Sequence, residues 1–237
     1  MFDHVEIRVA NRDASERFYS TVLSTLGIEQ TYKGPDIVEW DEFGVADDGP
    51  LTRRLHIGFR AAGHAEVDAF WQAGIDAGYR DDGAPGPRPQ YVEDYYGAFL
   101  LDPDGNSVEA VWHGKMRGGM IDHLWLRVAD VEASARFYER IAPHAGLTVR
   151  RLKPDHAQVL GDKATFSLVA GTPTEHTHIA FPTGDDAVVQ AFHRAATEAG
   201  YADNGGPGER PQYHPGYYGA FVLDPDGNNI EVVNHHR

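Results

Sequence analysis

Two histidines and one glutamate recur at matching positions in the two halves of this 237-residue chain. In each half, one histidine lies near the start, a second precedes a helix-like stretch, and the glutamate lies near the end. Imidazole nitrogens and a carboxylate oxygen together bind divalent ions such as Fe(II), Mn(II), Zn(II), Co(II) or Ni(II), and three such donors leave open positions for water or substrate. The candidate metal ligands are His4, His56, Glu109, His123, His178 and Glu231.

The surrounding repeat is what favours ligands over ordinary strand histidines. The stretch DHVEIRV at 3–9 recurs as DHLWLRV at 122–128, which is 119 residues later. The ending YYGAFLLDPDGNSVEAV at 95–111 recurs as YYGAFVLDPDGNNIEVV at 217–233, which is 122 residues later. In both halves the second histidine and the glutamate are 53 residues apart. A purely structural repeat does not require these three residue types in the same register twice.

The elements that must position these residues follow from the residue pattern. Alternation from His4 to Val9 predicts a half-buried strand. Helical spacing after Asn11 predicts a helix that ends at Gly27, and the next helix is predicted to end at Gly78. The Pro- and Gly-rich stretch 81–90 predicts a loop, and DPDGN predicts a tight turn between two strands. Each half therefore predicts strand, helix and strands, twice over.

The predicted fold class is α+β, with four βαβββ units. We expect two modules, at 1–113 and 120–237, joined by a Gly-rich linker at 114–119. The net charge of −15 argues against partners that need a basic surface, namely nucleic acid and anionic membranes. The chain has no cysteine, which leaves the redox compartment undetermined. It shows no signal-peptide pattern or apolar spanning run, so we expect a cytoplasmic protein. The tandem repeat is compatible with a monomer or a homodimer, and the resemblance described next implies a small-molecule substrate.

The four βαβββ units, the DHxxxRV opening, the strand motif HIGF or HIAF and the DPDGNxxE ending resemble the vicinal oxygen chelate (VOC) superfamily. That superfamily includes glyoxalase I, extradiol dioxygenases and bleomycin-binding proteins, and the resemblance covers nearly all of both modules. It implies two open-barrel cups, each with a divalent metal held by a first-strand His, a fifth-strand His and a last-strand Glu. In some members the three ligands come from one module, and in others the halves are exchanged. The sequence leaves both arrangements open.

The resemblance implies a metal-dependent enzyme without fixing its reaction. Glyoxalase I usually adds a fourth ligand, for which Glu42 is the nearby carboxylate in the first module. A three-ligand set favours extradiol-dioxygenase-like oxidation, with Fe(II) as the favoured cofactor and Zn, Mn, Ni or Co as alternatives. The alternatives are a glyoxalase I-like lyase or isomerase, and a bleomycin-resistance-type binding protein without enzymatic activity. Two complete ligand sets argue against the binding protein, which typically lacks them.

Further residues are predicted around the metals. Extradiol enzymes place a tyrosine beside the metal where this chain has Phe99 and Phe221, so the substitutes would be Tyr95 and Tyr217, with His214 as an acid or base. The predicted substrate contacts are Arg8, Arg127, Trp125, Phe99 and Phe221, with salt bridges as the alternative for the arginines. Four residues after each glutamate, His113 and His235 are predicted to support the ligands from behind or to be simple surface residues. Arg88 and Arg210 belong to a lid, or they anchor their loops.

The two cups differ at one position between the first-strand histidine and arginine. The first module has Glu6 there, and the second has Trp125. We therefore expect either that the cups bind different ligands or that one of them is degenerate.

Overall fold

The computed structural model describes residues 1–114 and 118–236. Its elements form four βαβββ units in succession, which confirms the predicted α+β architecture. The first two units comprise β1 (His4–Arg8), α1 (Arg12–Leu23), a 3-10 turn (Ser24–Leu26), β2 (Tyr32–Lys33), β3 (Ile37–Trp40), β4 (Phe43–Ala46), β5 (His56–Arg60), α2 (His64–Asp76), β6 (Arg80–Pro87), β7 (Tyr96–Leu101) and β8 (Ser107–Trp112).

The second half of the chain repeats this order. Its elements are β9 (Ile121–Val128), α3 (Val131–Ala145), β10 (Thr148–Lys153), β11 (His156–Leu160), β12 (Thr165–Ala170), β13 (Thr177–Pro182), α4 (Asp186–Glu198), β14 (Asp203–Glu209), β15 (Tyr218–Leu223) and β16 (Asn229–Asn234). No helix in residues 1–114 and 118–236 is long and apolar enough to cross a membrane.

The described strands form two eight-stranded mixed sheets, and neither sheet closes on itself within residues 1–114 and 118–236. The first has the order β14-β15-β16-β13-β1-β4-β3-β2, and the second has the order β10-β11-β12-β9-β5-β8-β7-β6. Strand β1 therefore lies beside β13, and β9 lies beside β5. Each sheet draws strands from both halves of the sequence, which is the exchanged arrangement.

By contact density the chain divides into two compact lobes. The first lobe comprises Met1–Glu6 and Leu126–Arg237, and the second comprises Ile7–Trp125. The predicted module boundaries stay a prediction, and residues 115–117 of the predicted linker lie outside the described residues.

The first helix forms where its sequence predicts it. The Asn11 side chain accepts a hydrogen bond from the Ala14 backbone N–H at 2.9 Å, which caps the helix. Phe18 and Tyr19 share a buried face, and their rings pack edge to face at 4.9 Å. Gly27 adopts a left-handed φ of 71°, which ends the helical segment.

The prediction of a loop at 81–90 is wrong, because Arg80–Pro87 forms strand β6. The strand pairs with β7, and its register shifts between Asp81 and Gly83 and again between Gly83 and Gly86. These bulges carry Pro85 outside the paired positions. Strand β6 also lies at the edge of its sheet, where a missing N–H costs little. Composition predicted a loop because it does not reveal an edge position.

Candidate metal centres

The structure brings the six predicted ligands together as two trios. His4, His178 and Glu231 form the first centre, which lies in the first lobe. His56, Glu109 and His123 form the second centre, which lies in the second lobe. Within each trio the donor atoms all lie within 4.8 Å of one another. Of the two ligand combinations that the sequence left open, this is the exchanged one.

The spacing within the first centre fits a divalent cation. His4 Nε2 lies 3.0 Å from His178 Nε2, and Glu231 Oε2 lies 3.1 Å from His178 Nε2 and 3.6 Å from His4 Nε2. Donors bound to one ion at about 2.1 Å lie about 3.0 Å apart at right angles and about 3.4 Å apart at the tetrahedral angle. Two imidazole nitrogens that face each other this closely need a proton or a cation between them.

The second centre has the same geometry. His56 Nε2 lies 3.0 Å from Glu109 Oε2 and 3.1 Å from His123 Nε2. His123 Nε2 lies 3.2 Å from Glu109 Oε2. Both trios therefore present two nitrogens and one oxygen at the mutual distances of neighbouring metal ligands.

Strand register sets the second centre. On parallel strands β5 and β8, Gly58 pairs with Glu109, and across the antiparallel β5–β9 ladder Gly58 pairs with His123. A Cβ atom on Gly58 would lie 2.5 Å from His123 Cε1, so the imidazole packs directly on the Gly58 backbone. In the first centre Ala180 pairs with Glu231 at the equivalent place.

The DPDGN turn fixes each glutamate relative to the neighbouring histidine strand. Asp102 Oδ1 accepts hydrogen bonds from the backbone N–H groups of Asp104 at 2.9 Å and Asn106 at 2.8 Å, and Gly105 has a φ of 87°. Asn106 Oδ1 in turn accepts from the Leu55 backbone N–H at 3.1 Å. The turn is thereby tied to the residue before β5, and Asp224 and Asn228 make the equivalent contacts in the second half, where Asn228 accepts from the first residue of β13.

Tyr95 and Tyr217, predicted as catalytic groups, contact the glutamates. Tyr95 donates to Glu109 Oε1 at 2.8 Å, and Tyr217 donates to Glu231 Oε1 at 2.7 Å. Burial, followed by the charge of the neighbouring glutamate, raises the pKa of both hydroxyls well above 10, so they remain donors. Each bond engages the carboxylate oxygen that does not face the histidines.

Asp3 and Asp122 hold the first-strand histidines, and sequence reasoning missed both. Asp3 Oδ1 lies 2.8 Å from His4 Nδ1, and Asp122 Oδ1 lies 3.1 Å from His123 Nδ1. A carboxylate only accepts, so each Nδ1 carries the proton and each Nε2 can present its lone pair to a metal. The signal was present, because an aspartate precedes the histidine in both halves.

These contacts raise the basicity of both imidazoles. Burial lowers the pKa of His4, but the Asp3 hydrogen bond and the charges of Glu6 and Glu231 outweigh it and raise the pKa to about 9. Against the same effect of burial, Asp122 and Glu109 raise the pKa of His123 to about 10. Without a metal, one protonated imidazole therefore offsets the buried carboxylate of each trio.

The fifth-strand histidines have different partners at Nδ1. His56 Nδ1 lies 3.0 Å from Ser107 Oγ, whose hydroxyl donates to Asp82 at 2.7 Å and so leaves its oxygen to accept. The Asn229 side-chain amide lies 2.6 Å from His178 Nδ1. Ser107 and Asn229 each stand two residues before the glutamate of their trio. Burial lowers the pKa of His56, which favours the neutral form that a metal requires.

His113 and His235 lie behind the aspartates. His113 Nε2 lies 2.9 Å from Asp122 Oδ2, and His235 Nε2 lies 2.9 Å from Asp3 Oδ1. Both therefore lie two hydrogen bonds from a first-strand histidine, and their supporting role stays a prediction.

The two centres differ beyond these histidines. In the first centre the hydrogen-bonded series of Asp3 and His235 extends to a third residue, because His214 Nε2 lies 2.8 Å from His235 Nδ1. His214 thus contacts His235 rather than a trio atom, and its counterpart Val92 is 56% exposed. In the second centre Arg60 lies 3.1 Å from Asp122. The residue that matches Arg60 in the first centre is Pro182.

Three aromatic side chains predicted to contact substrate lie beside the trios. The Phe99 and Trp125 rings lie 5.9 Å and 6.4 Å from the His56 ring, and the Phe221 ring lies 6.1 Å from the His178 ring. The second centre therefore has two aromatic neighbours around His56.

The arginines at the predicted rim have protein partners. Arg8 Nε forms an ion pair with Asp48 at 2.7 Å, and the Arg127 side chain is exposed. The Arg88 and Arg210 guanidinium groups stack over Phe99 and Phe221 at 5.5 Å. They also donate to the backbone carbonyls of Ala84 at 2.8 Å and Gly206 at 2.7 Å, which favours loop anchoring over a lid.

Glu42 does not supply a fourth ligand, so that version of the glyoxalase I-like hypothesis fails for the first module. Its Oε2 accepts from the backbone N–H groups of Met120 at 3.2 Å and Ile121 at 3.4 Å. Among the described residues it belongs to neither cluster of converging donors. Burial raises the pKa of its carboxyl group.

Comparison with known proteins gives the family. Glyoxalase I from Zea mays superposes with a TM-score of 0.71 at 19% identity, covering 99% of this chain and 92% of that one. A putative dioxygenase from Bacillus subtilis superposes with a TM-score of 0.67 at 15% identity, covering 100% and 85%. Both show a shared fold. No curated protein sequence matches. The family model described as Glyoxalase/Bleomycin resistance protein/Dioxygenase superfamily matches residues 1–110 and 120–232, and the chain therefore belongs to that superfamily.

Proposed function

We propose that the protein is a divalent-metal-dependent enzyme that acts on a small molecule with two neighbouring oxygen atoms. The reaction we favour is an extradiol-type oxidation of a catechol-like compound with Fe(II). The observation that carries the proposal is the set of two nitrogens and one carboxylate oxygen, 3.0–3.2 Å apart, at the second centre. Two histidines and one carboxylate on one side of an ion suit Fe(II) oxygenases, because the other positions stay open.

A bound ion supplies Lewis acidity and, for iron, redox chemistry with dioxygen. The chain's own residues position it and the substrate. His56, His123 and Glu109 would hold the ion, while Tyr95 and Asp122 fix the orientation of Glu109 and His123. The Trp125 ring beside His56 offers an apolar wall to an aromatic substrate.

A glyoxalase-type lyase or isomerase is the second candidate, and one observation favours it at the first centre. The Glu6 carboxylate lies 3.9 Å from His4 Nε2, where the second centre has Trp125. A carboxylate beside a metal-bound substrate suits proton transfer at a carbon next to a carbonyl. A non-enzymatic binding protein has no need for two supported trios.

The test is iron loading followed by oxygen uptake. The metal-free full-length chain is loaded anaerobically with Fe(II), its iron is counted, and dioxygen consumption is measured with a panel of catechols. We expect about two irons per chain and consumption of one dioxygen per catechol. Glu109→Gln should abolish uptake at the second centre. Metal binding with no oxygen uptake, but with deuterium entering a 2-oxo substrate from D₂O, would establish the second candidate instead.

A matched experiment separates both reactions from simple binding. If the protein only sequesters a ligand, Glu231→Ala and Glu109→Ala will leave the ligand affinity unchanged. Loss of ligand affinity together with metal would exclude that function.

A further inference from the structure

Glu6 distinguishes the two centres. It follows His4 by two residues on β1, whose alternating burial places His4, Glu6 and Arg8 on one face. Glu6 Oε1 lies 3.9 Å from His4 Nε2, and its side chain is 19% exposed. Two donors on opposite sides of an ion with bonds of about 2.1 Å lie about 4.2 Å apart, so this distance falls within the span of one coordination sphere.

The second centre has no carboxylate in this position. Trp125 follows His123 by two residues, and its ring lies 6.4 Å from the His56 ring and 6.3 Å from the Tyr91 ring. Glu42 contacts backbone N–H groups instead. Among the residues that the structure describes, the second centre thus has three protein donors with a single carboxylate, whereas the first has three matching donors and a second carboxylate close by.

The groups behind the first-strand histidines add to this difference in charge. Arg60, which is almost fully buried, pairs with Asp122 behind the second centre. Its counterpart behind the first centre is Pro182. Glu6 adds one negative charge at the first centre, and Arg60 adds one positive charge at the second. Both differences favour a cation at the first centre, because partly buried charges are weakly screened.

We propose that Glu6 is a fourth protein ligand of the first centre, which therefore binds a divalent cation more tightly than the second and leaves it one open position fewer. The inference rests on the proposed function, since it requires metal at both trios. The Glu6 carboxylate lies outside the set of donor atoms within 4.8 Å of one another, so this ligation requires its side chain to turn toward the ion when metal binds. At the first centre, two carboxylate ligands would neutralise the charge of a dication. At the second centre, a single carboxylate would leave the bound dication with one net positive charge and more room for an anionic ligand that binds through two oxygens.

The test is titration of the metal-free full-length chain with Mn²⁺, with free Mn²⁺ followed by EPR. We expect two sites that differ at least about tenfold in Kd. Glu109→Gln should remove the weaker site, and Glu231→Gln the tighter one. Glu6→Gln removes one charged ligand, so it should weaken the tighter site at least about tenfold and leave the weaker one unchanged.

A second measurement separates ligation from a structural effect of Glu6. Water-proton relaxation at each Mn²⁺ counts exchangeable waters, and Glu6→Gln should add water at the first centre only. The reciprocal Trp125→Glu change should tighten the second site and remove water there. Two sites of equal affinity, or a Glu6→Gln variant with unchanged affinity and hydration, would overturn the inference. Absence of Mn²⁺ from both centres would instead refute the proposed function.

Discussion

Replacing Tyr217 by Phe tests whether the tyrosines serve the glutamates. Tyr217 is 6% exposed, and its hydroxyl donates to Glu231 Oε1 at 2.7 Å. A Cβ atom on Gly219 would lie 2.4 Å from the same oxygen, so the carboxylate packs against backbone on that side. In Tyr217→Phe, this fully buried oxygen loses its donor.

The expected cost has two parts. A hydrogen bond to a charged group contributes about 1.5–3 kcal/mol, so the unfolding free energy of the metal-free chain should fall by that amount. Loss of a group that orients a metal ligand typically weakens metal binding by about 10- to 100-fold. A chelator-competition titration should therefore show one weakened site and one unchanged site, and urea unfolding measures the stability term.

The chain supplies its own control in Tyr95→Phe. Tyr95 donates to Glu109 in the same way, at 2.8 Å, so this variant should weaken the other site and spare the first. If either variant weakens both sites equally, the hydroxyls act through general stability and not through their glutamates. If metal affinity stays unchanged in both, they do not position the carboxylates.

Three further results are expected. Because the pKa values of His4 and His123 are raised to about 9 and 10 without metal, metal binding at pH 7.5 should release about one proton per site. Metal affinity should therefore rise with pH up to the pKa of the histidine. Calorimetry in buffers of different ionisation enthalpy measures the released protons, and binding heats that do not depend on the buffer would contradict the prediction. Burial raises the pKa of Asp224 from 3.8 to about 6, so folding favours its neutral form. Relative to Asp224→Asn, the unfolding free energy of the unchanged protein should be highest below pH 4 and fall by about 3 kcal/mol as the pH rises through 6. If the unfolding free energies of the two proteins change in parallel with pH, this assignment is contradicted. Gly58→Ala places a Cβ 2.5 Å from His123 Cε1 and should weaken the second site by at least about tenfold, while equal affinity would mean that the ring shifts without cost.

The sequence predicted the elements and the ligand types because both depend on local pattern. The His4 strand, the helix capped by Asn11 and the hairpin that carries Glu109 all follow from alternation, capping and turn residues. It failed at β6, where an edge position tolerates Pro85 and composition alone indicated a loop.

The surroundings of the ligands were harder to predict, because they depend on distance across strands. Tyr95 stands fourteen residues before Glu109, yet adjacent antiparallel strands bring its hydroxyl to that carboxylate. Asp3 and Asp122 were visible as repeated neighbours of a histidine, but their role needs the ring orientation. The 3.9 Å approach of Glu6 to His4 likewise follows from side-chain direction on one strand face.

The spacing of the ligands along the sequence did not decide whether they are exchanged between halves, but the length of the connection between the halves favours one arrangement. The strands of His56 and Glu109 are neighbours whether the first-strand histidine comes from the same half or from the other half. The constant 53-residue interval between His56 and Glu109 therefore fits both arrangements. Strand β8 ends at Trp112 and β9 begins at Ile121, which leaves a short connection. Because β5 runs parallel to β8 and antiparallel to β9, the end of β8 and the start of β9 lie at one end of the sheet, two strand spacings or about 10 Å apart. A short connection favours neighbours in the same sheet, so His123 joins His56 and Glu109, and His4 is left to the centre formed by His178 and Glu231.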